Sequence, residues 1–522
     1  MGCKVSGFIF AVTAVAGFNS TEAIAQVTIP DTPRKAAEAI PDSSTLSRVD
    51  GLVVFDYQVI KVPRNATLDL MGLHVYNQVS DSLYLGIGAY APLVKGEYGG
   101  FMGFDVSAKA QRKLWGNIIG DATLSLGGGG GGKSALQSIE LSGTGGFAKA
   151  SVGLGYDFTD FAVGANVSRM KFKNSAIDST SLNVYVQVPF SYITGPYASA
   201  GLKVPAADAR TIREDSSEST LTVGIANVSQ INPKGTYQSD FQLVDLQFAH
   251  YLTQDAYWYA SLGIGYQGLP LYNQIITGFG YRLPVSQRMN LHAHLGVGSG
   301  GYAPEKIDTG PGLLIYPKLS AEYAISPNLS LSATAGYLAA PKGSSKNYTF
   351  GASLSYHFQP RTEGFGKSQE SDDGWFRGYR LNLYQQTEYH SSYRNIDRKP
   401  VNMLTLQLDN LINKNVYIPI HASIAYVAYL GYPGYGEVLT GIGLQTEYQK
   451  DQRFQFFGEL MGGANVHGPI VKADVGLNYS LSDRLAVRAL IGKTQGPSTD
   501  GKNFKNDYVG IGMTYRFSIP GR

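Results

Sequence analysis

Three stretches of this chain close on the same kind of strand, and few folds can use such a segment three times. They are LNVYVQVPFSYI at 182–193, NYTFGASLSYHF at 347–358 and DYVGIGMTYRF at 507–517. In the second, Tyr348, Phe350, Ala352, Leu354, Tyr356 and Phe358 share one face, and Thr349, Gly351, Ser353, Ser355 and His357 share the other. A two-residue period ending in aromatics is expected of a strand with lipid on one side and polar groups on the other. One such segment would prove little, since a soluble sandwich strand also alternates. Three at the ends of three alignable blocks constrain the fold.

The blocks align strand by strand, eight strands each. The first strands are 52–60, 221–229 and 379–387, and the sixth are 148–158, 314–325 and 471–481. Most predicted strands are near the ~9–11 residues that a tilted strand needs to cross the apolar slab. Tight turns join strands six and seven at Phe158-Thr159-Asp160, Ser326-Pro327-Asn328 and Ser482-Asp483-Arg484. The turns between strands four and five are expected at Gln111-Arg112, Gln287-Arg288 and Gln452-Arg453, while the opposite connections, such as the glycine-rich 127–146, are longer. Short turns on one side and long loops on the other fit a membrane barrel. Only 16% of the residues are charged, against 63 glycines and 35 tyrosines, which suits strands in which every second residue is apolar. The net charge of +3 is too small to indicate a nucleic-acid partner.

At the N-terminus, Lys4, an apolar run from Val5 to Phe18 and Ala23-Ile24-Ala25 have the order of a secretory signal peptide spanning 1–25, with cleavage before Gln26. The rival pattern, Met1-Gly2 with Ser6 for myristoylation, does not account for the apolar core or the cleavage site. Cleavage removes Cys3, the only cysteine, so no internal disulfide is expected. The most apolar later stretch, Val416–Tyr432, is interrupted by Pro419 and His421 and reads as strand.

With these features the chain resembles the bacterial outer-membrane β-barrel class over nearly all its mature length. Gly512, Tyr515 and Phe517 match the closing signal that such proteins present to the barrel-assembly machinery, although Ser518–Arg522 follow the aromatic that usually ends the chain. The resemblance implies an all-β transmembrane antiparallel barrel in an outer membrane, with lipid and that machinery as partners. It implies no particular substrate. Polar linkers near 194–218 and 359–377 divide the chain into blocks 26–193, 194–358 and 359–522. Two architectures fit: three tandem eight-stranded barrels, or one 24-stranded barrel. The linkers and the lumen-side glycines Gly103, Gly278, Gly280, Gly441 and Gly443, which suit tight curvature, lean toward tandem barrels.

The polar face offers candidate lumen residues. In the sixth strands Lys149 and Lys472 each lie seven residues before a tyrosine, Tyr156 and Tyr479, and Lys318 lies on the same face. Asp105, Lys109 and Asp121 join them in the first block, Arg282, His292 and His294 in the second, and Glu447, Glu459, Asp474 and Arg488 in the third. They either line a conducting pore or form an ion-pair plug, because buried charges need partners. His292 and His294 share a strand face, but no third ligand is evident, so no metal site is expected. Gly127–Ser134 satisfies a phosphate-loop pattern that six consecutive glycines would meet by chance, so no cofactor is expected and an external loop is the simpler reading. Scattered Ser and His residues form no catalytic constellation, leaving a lipid-modifying barrel enzyme as the third reading. The first is a channel or transport component for solutes or a polymer. The second is a non-conducting structural or surface-interaction barrel of the envelope or of exopolysaccharide assembly.

Overall fold

The computed structural model describes residues 46–521 apart from 63–65, 133–140, 205–217, 270–271, 304, 327–328, 359–374, 394–395, 398–399, 428–433, 466–467 and 498–502. The proposed signal peptide and the Lys133-Ser134 pair lie outside the described residues. The first block contains β1 (Ser47–Val62), β2 (Ala66–Ser80), β3 (Leu83–Pro92), β4 (Met102–Trp115), β5 (Ile118–Gly130), β6 (Gly146–Asp157), β7 (Ala162–Phe172) and β8 (Asp178–Thr194). The second contains β9 (Ser219–Gln230), β10 (Phe241–Tyr251), β11 (Ala256–Gln267), β12 (Asn273–Pro284), β13 (Met289–Gly301), β14 (Leu313–Ser326), β15 (Leu329–Ala339) and β16 (Lys346–Phe358). The third contains β17 (Trp375–Tyr393), the two-residue β18 (Ile396–Asp397), β19 (Val401–Leu411), β20 (Val416–Ala425), β21 (Gly436–Gln445), β22 (Phe454–Asn465), β23 (Gly468–Ser480), β24 (Leu485–Pro497) and β25 (Asn503–Gly521).

Neighbouring strands pair antiparallel, and in each block the last returns to the first. Ser47 faces Thr194, Ser219 faces Phe358 and Trp375 faces Gly521 across the three closing seams. The 24 main strands therefore form three closed eight-stranded sheets, with β18 attached to β17. Closure matters in lipid, where an open edge would leave N–H and C=O groups without partners.

Side-chain placement is the reverse of a soluble protein. In β6, Lys149 and Ser151 are buried inside while Val152 and Leu154 are 68% and 55% exposed outside. Leu182, Leu295, Leu319, Leu460 and Ile511 extend this apolar surface around all three sheets. Exposed Tyr156, Phe158, Phe161, Tyr281, Tyr323 and Phe454 cluster near the short-turn end. A broad apolar exterior with an aromatic rim is the surface a bilayer solvates.

Three local expectations need correction. Gln111-Arg112 is not a turn: β4 runs on to Trp115, and the chain reverses at Gly116-Asn117, where Gly116 takes a φ of 52°. Both residues remain paired, Gln111 with Asp121 and Arg112 with Gly120, so the strand outlasts its apolar pattern. The glycine run is not simply an external loop, because Gly127–Gly130 continue β5 and pair with β4. Nor is 194–218 wholly a solvated linker. The Gly195 N–H donates to the Ser518 carbonyl at 2.9 Å, the Gly201 N–H to the Phe376 carbonyl at 2.7 Å, and Tyr197 and Val204 are buried.

The three sheets touch through β3 and β13, β5 and β20, β8 and β25, and β11 and β23. Phe55 meets Trp258 edge-on between the first and second, with ring centroids 5.9 Å apart. Between the first and third, a Cβ on Gly128 would collide with the Ala425 carbonyl, so glycine there permits close backbone approach. The glycine run thus serves packing.

Candidate functional site in the barrel interiors

Alternation sends one polar side chain inward at every second residue, and the three small lumens fill with them. In the first, the Lys149 ammonium donates to Asp56 at 2.7 Å and to the Tyr90 hydroxyl at 3.2 Å. Lys109 pairs with Asp121 at 2.9 Å, and Tyr185 donates to the same carboxylate at 2.6 Å. His74 lies 3.3 Å from Asp105, and Asp105 itself is 3% exposed.

The second lumen is organised around two carboxylates. Glu218 receives Arg282 at 3.0 Å and lies 3.0 Å from His357. Glu322 lies 3.0 Å from His357 on one side and 3.0 Å from His292 on the other. His292 and His294 also contact the Tyr257 hydroxyl at 3.0 and 3.2 Å, and His294 reaches Ser320 at 3.1 Å. Lys318 donates to Gln247 at 2.7 Å. Among the described residues, no group of three His, Cys, Asp or Glu side chains is arranged to hold a metal ion.

Ser330, His357 and Glu218 have the spacing of a nucleophile, base and orienting acid, with Ser330 2.9 Å from His357. However, the Ser330 hydroxyl also donates to Glu322 at 2.6 Å, and Ser330, His357 and Glu218 are all buried. A substrate has no approach to that hydroxyl, and the group reads as part of the packed network.

In the third lumen, Arg488 meets Glu459 at 2.6 Å and Arg380 meets Asp409 at 2.9 Å. Lys472 donates to Glu437 at 2.6 Å and to Gln386 at 2.9 Å. Asp474 accepts from Tyr508 at 2.7 Å. The lysines of the three sixth strands also lie over rings: Lys149 over Tyr90 at 4.8 Å, Lys318 over Tyr259 at 5.2 Å and Lys472 over Tyr508 at 4.5 Å.

The structure places Lys149, Lys318, Lys472, Asp105, Lys109, Asp121, Arg282, His292, His294, Glu459, Asp474 and Arg488 inside the sheets. Glu447 is a correction. β21 ends at Gln445, so Glu447 lies on an exposed turn, accepting from Lys414 at 2.7 Å. Gly512 faces inward against Tyr384, while Tyr515 and Phe517 lie outward beside the closing seam, with Phe517 stacked on Tyr379 at 5.6 Å. The main omission was Glu218, read as linker. It has the same parity as the inward Thr220 and Thr222, which was the available signal.

The lumen of the second sheet holds a void of about 70 Å³ bordered by Gln247, His294 and Lys318. A far larger space of about 2130 Å³ lies between the three sheets, bordered mainly by outward residues such as Leu73, Val223 and Leu406, with the inward His421, Ser423 and Glu437 of the third sheet also on its wall.

No protein-family model matches the chain, and no curated protein does. Among solved structures, the siderophore receptor PirA from Acinetobacter baumannii is 10% identical, with 92% of this chain and 81% of the receptor covered and a TM-score of 0.28. A mutant ferric enterobactin receptor from Pseudomonas aeruginosa, in complex with enterobactin, is 8% identical, with 90% and 81% covered and a TM-score of 0.28. The outer membrane protein Ail of Yersinia pestis is 15% identical and fully covered, over 27% of this chain, with a TM-score of 0.19. These likenesses are too slight to bear on cargo. Closed antiparallel sheets with apolar exteriors and polar interiors define the class: the chain has the fold of a transmembrane β-barrel.

Proposed function

We propose that this protein is a tandem of three filled eight-stranded barrels in the outer membrane of a Gram-negative bacterium, exported by a cleaved signal. Its role is that of a non-conducting structural or surface-interaction component of the envelope. The observation that carries this reading is the occupation of every lumen by buried ion pairs, with Lys149–Asp56, Arg282–Glu218 and Arg488–Glu459 in successive sheets. Opening such a lumen would strand charges in a low-dielectric interior. Planar-bilayer recording of the intact protein tests the proposal. Silence is expected, and neutralising Lys149 or Lys472 should leave any residual ion selectivity unchanged. Steps in the nanosiemens range that change with those lysines would overturn it.

Transport is the second reading, and one observation favours it. The large space between the barrels extends from Tyr272 and Gly130 near the long-loop end to Lys203 and Lys414 near the linker end. Material moving through the protein would follow that space rather than the lumens. Its lining suits apolar cargo and not hydrated ions.

A further inference from the structure

The space between the barrels has a lining that the filled-lumen reading does not explain. Leu73 and Ile87 of the first barrel, Val223 and Leu246 of the second, and Leu406 and Leu408 of the third all border it. These side chains lie on the lipid-type faces of their strands, yet they point toward one another across the middle of the assembly. Ile87 and Val223 stay 40% and 37% exposed there, so protein atoms do not fill the gap. Its volume of about 2130 Å³ corresponds to about seventy water volumes. Apolar space on that scale does not stay void, and water would leave its leucines hydrated.

The ends differ. At the long-loop end the barrels draw together: the Gly99 N–H donates to the Gly310 carbonyl at 3.0 Å, and Asn273 donates to the Gly100 carbonyl at 3.2 Å. At the linker end, the turn Tyr197–Ser199 and the following residues border the space, and Lys203 bridges to Trp375. Two cations gather at this rim. The Lys203 ammonium lies over the Trp375 ring at 5.7 Å, and the Arg377 guanidinium over the Tyr356 ring at 4.9 Å. Lys414, Glu447 and Lys450 border the same end, with Lys414 paired to Glu447 at 2.7 Å and Lys450 to Asp483 at 3.4 Å.

We infer that the central chamber is a phospholipid site, with acyl chains among the leucines and the headgroup phosphate beside Lys203 and Arg377. The site rests on the reading of this protein as a membrane-spanning barrel assembly with filled lumens. A chamber that runs most of the strand length spans much of the ~30 Å apolar slab, so acyl chains rising from the linker end lie wholly within it. A cationic, aromatic rim at the same end matches a phosphate at the interface. The chain's own N-terminal segment is a poor alternative occupant, because Asp31, Arg34, Lys35, Glu38 and Asp42 would bring unpaired charge into an apolar space.

The experiment uses the full chain extracted from membranes in mild detergent and washed until annular lipid is gone. Native mass spectrometry with phosphate assay should then find retained phospholipid. Leu73→Trp with Leu406→Trp, which fill the chamber, should release it, whereas Leu295→Trp on the outer surface should not. Lys203→Gln with Arg377→Gln should weaken retention. A second measurement needs no bulky substitution. In a Trp115→Phe, Trp258→Phe variant, only Trp375 remains of the three tryptophans. Brominated phospholipid loaded before extraction should keep quenching it after detergent washing. Equal lipid loss from wild type and both Trp variants, or quenching that washes out, would overturn the inference. So would retained lipopolysaccharide alone, or a peptide segment in place of lipid.

Discussion

Arg488 and Glu459 meet at 2.6 Å in the third barrel, both side chains fully buried, with the guanidinium 3.8 Å above the Phe457 ring centroid. Glu459 also accepts from Tyr417 at 2.7 Å and Gln407 at 2.9 Å, so one carboxylate gathers three strands. Removing it alone leaves a buried cation short of its counter-charge. Glu459→Ala should destabilise the folded barrel by about 3–5 kcal/mol, read as a lower midpoint in urea unfolding from lipid vesicles. Glu459→Met combined with Arg488→Met should recover most of that loss. An unchanged midpoint in the single variant would show that the pair is not structural.

The outward face should respond differently. Leu295 lies midway along β13 and is 59% exposed on the lipid side. Leu295→Arg places a charge at the level of the apolar slab and should cost about 2–4 kcal/mol. Leu295→Phe should be nearly silent. Equal tolerance of both substitutions in vesicle unfolding would argue that this face does not meet lipid.

Contact between the first and third barrels depends on a glycine. Gly128→Val drives side-chain atoms into the Ala425 backbone and should cost about 1–3 kcal/mol as overpacking. Gly462→Ala is the control, since its added Cβ meets nothing within 4 Å. The first barrel should still show heat-modifiable gel mobility in both variants, while Gly128→Val lowers the temperature at which the intact form is lost. Identical transitions would remove this contact from the account of assembly.

Alternation made the barrel and the inward residues legible, because lipid forces one strand face to be apolar whatever the cargo. Partner choice was not legible. Lys149 and Asp56 are 93 residues apart, and only closure of the sheet brings them together. Glu447 was misplaced by carrying strand parity beyond Gln445, where the backbone leaves the sheet. Glu218 was missed for the opposite reason: a polar stretch hid the first inward position of the second barrel. The central chamber leaves no trace in the pattern, since Leu406 facing a chamber and Leu295 facing bulk lipid obey the same alternation.

The sharpest test of the architecture is whether the third block stands alone. β17 pairs with β25 from Trp375–Gly521 through Tyr393–Phe504, so the block satisfies its own edges without borrowing a strand. It also carries the outward Tyr515 and Phe517 at its closing seam. Residues 375–522 behind a signal peptide should therefore insert and show heat-modifiable mobility, with some stability lost where Gly195, Tyr197 and Leu202 no longer cover Ser518 and Phe376. In the intact protein, protease should cut within the polar 205–217 and 359–374 before it cuts 195–204, whose backbone is hydrogen-bonded to the third barrel. A fragment that is always degraded, together with protease-resistant linkers, would favour one continuous 24-stranded wall over three barrels in tandem.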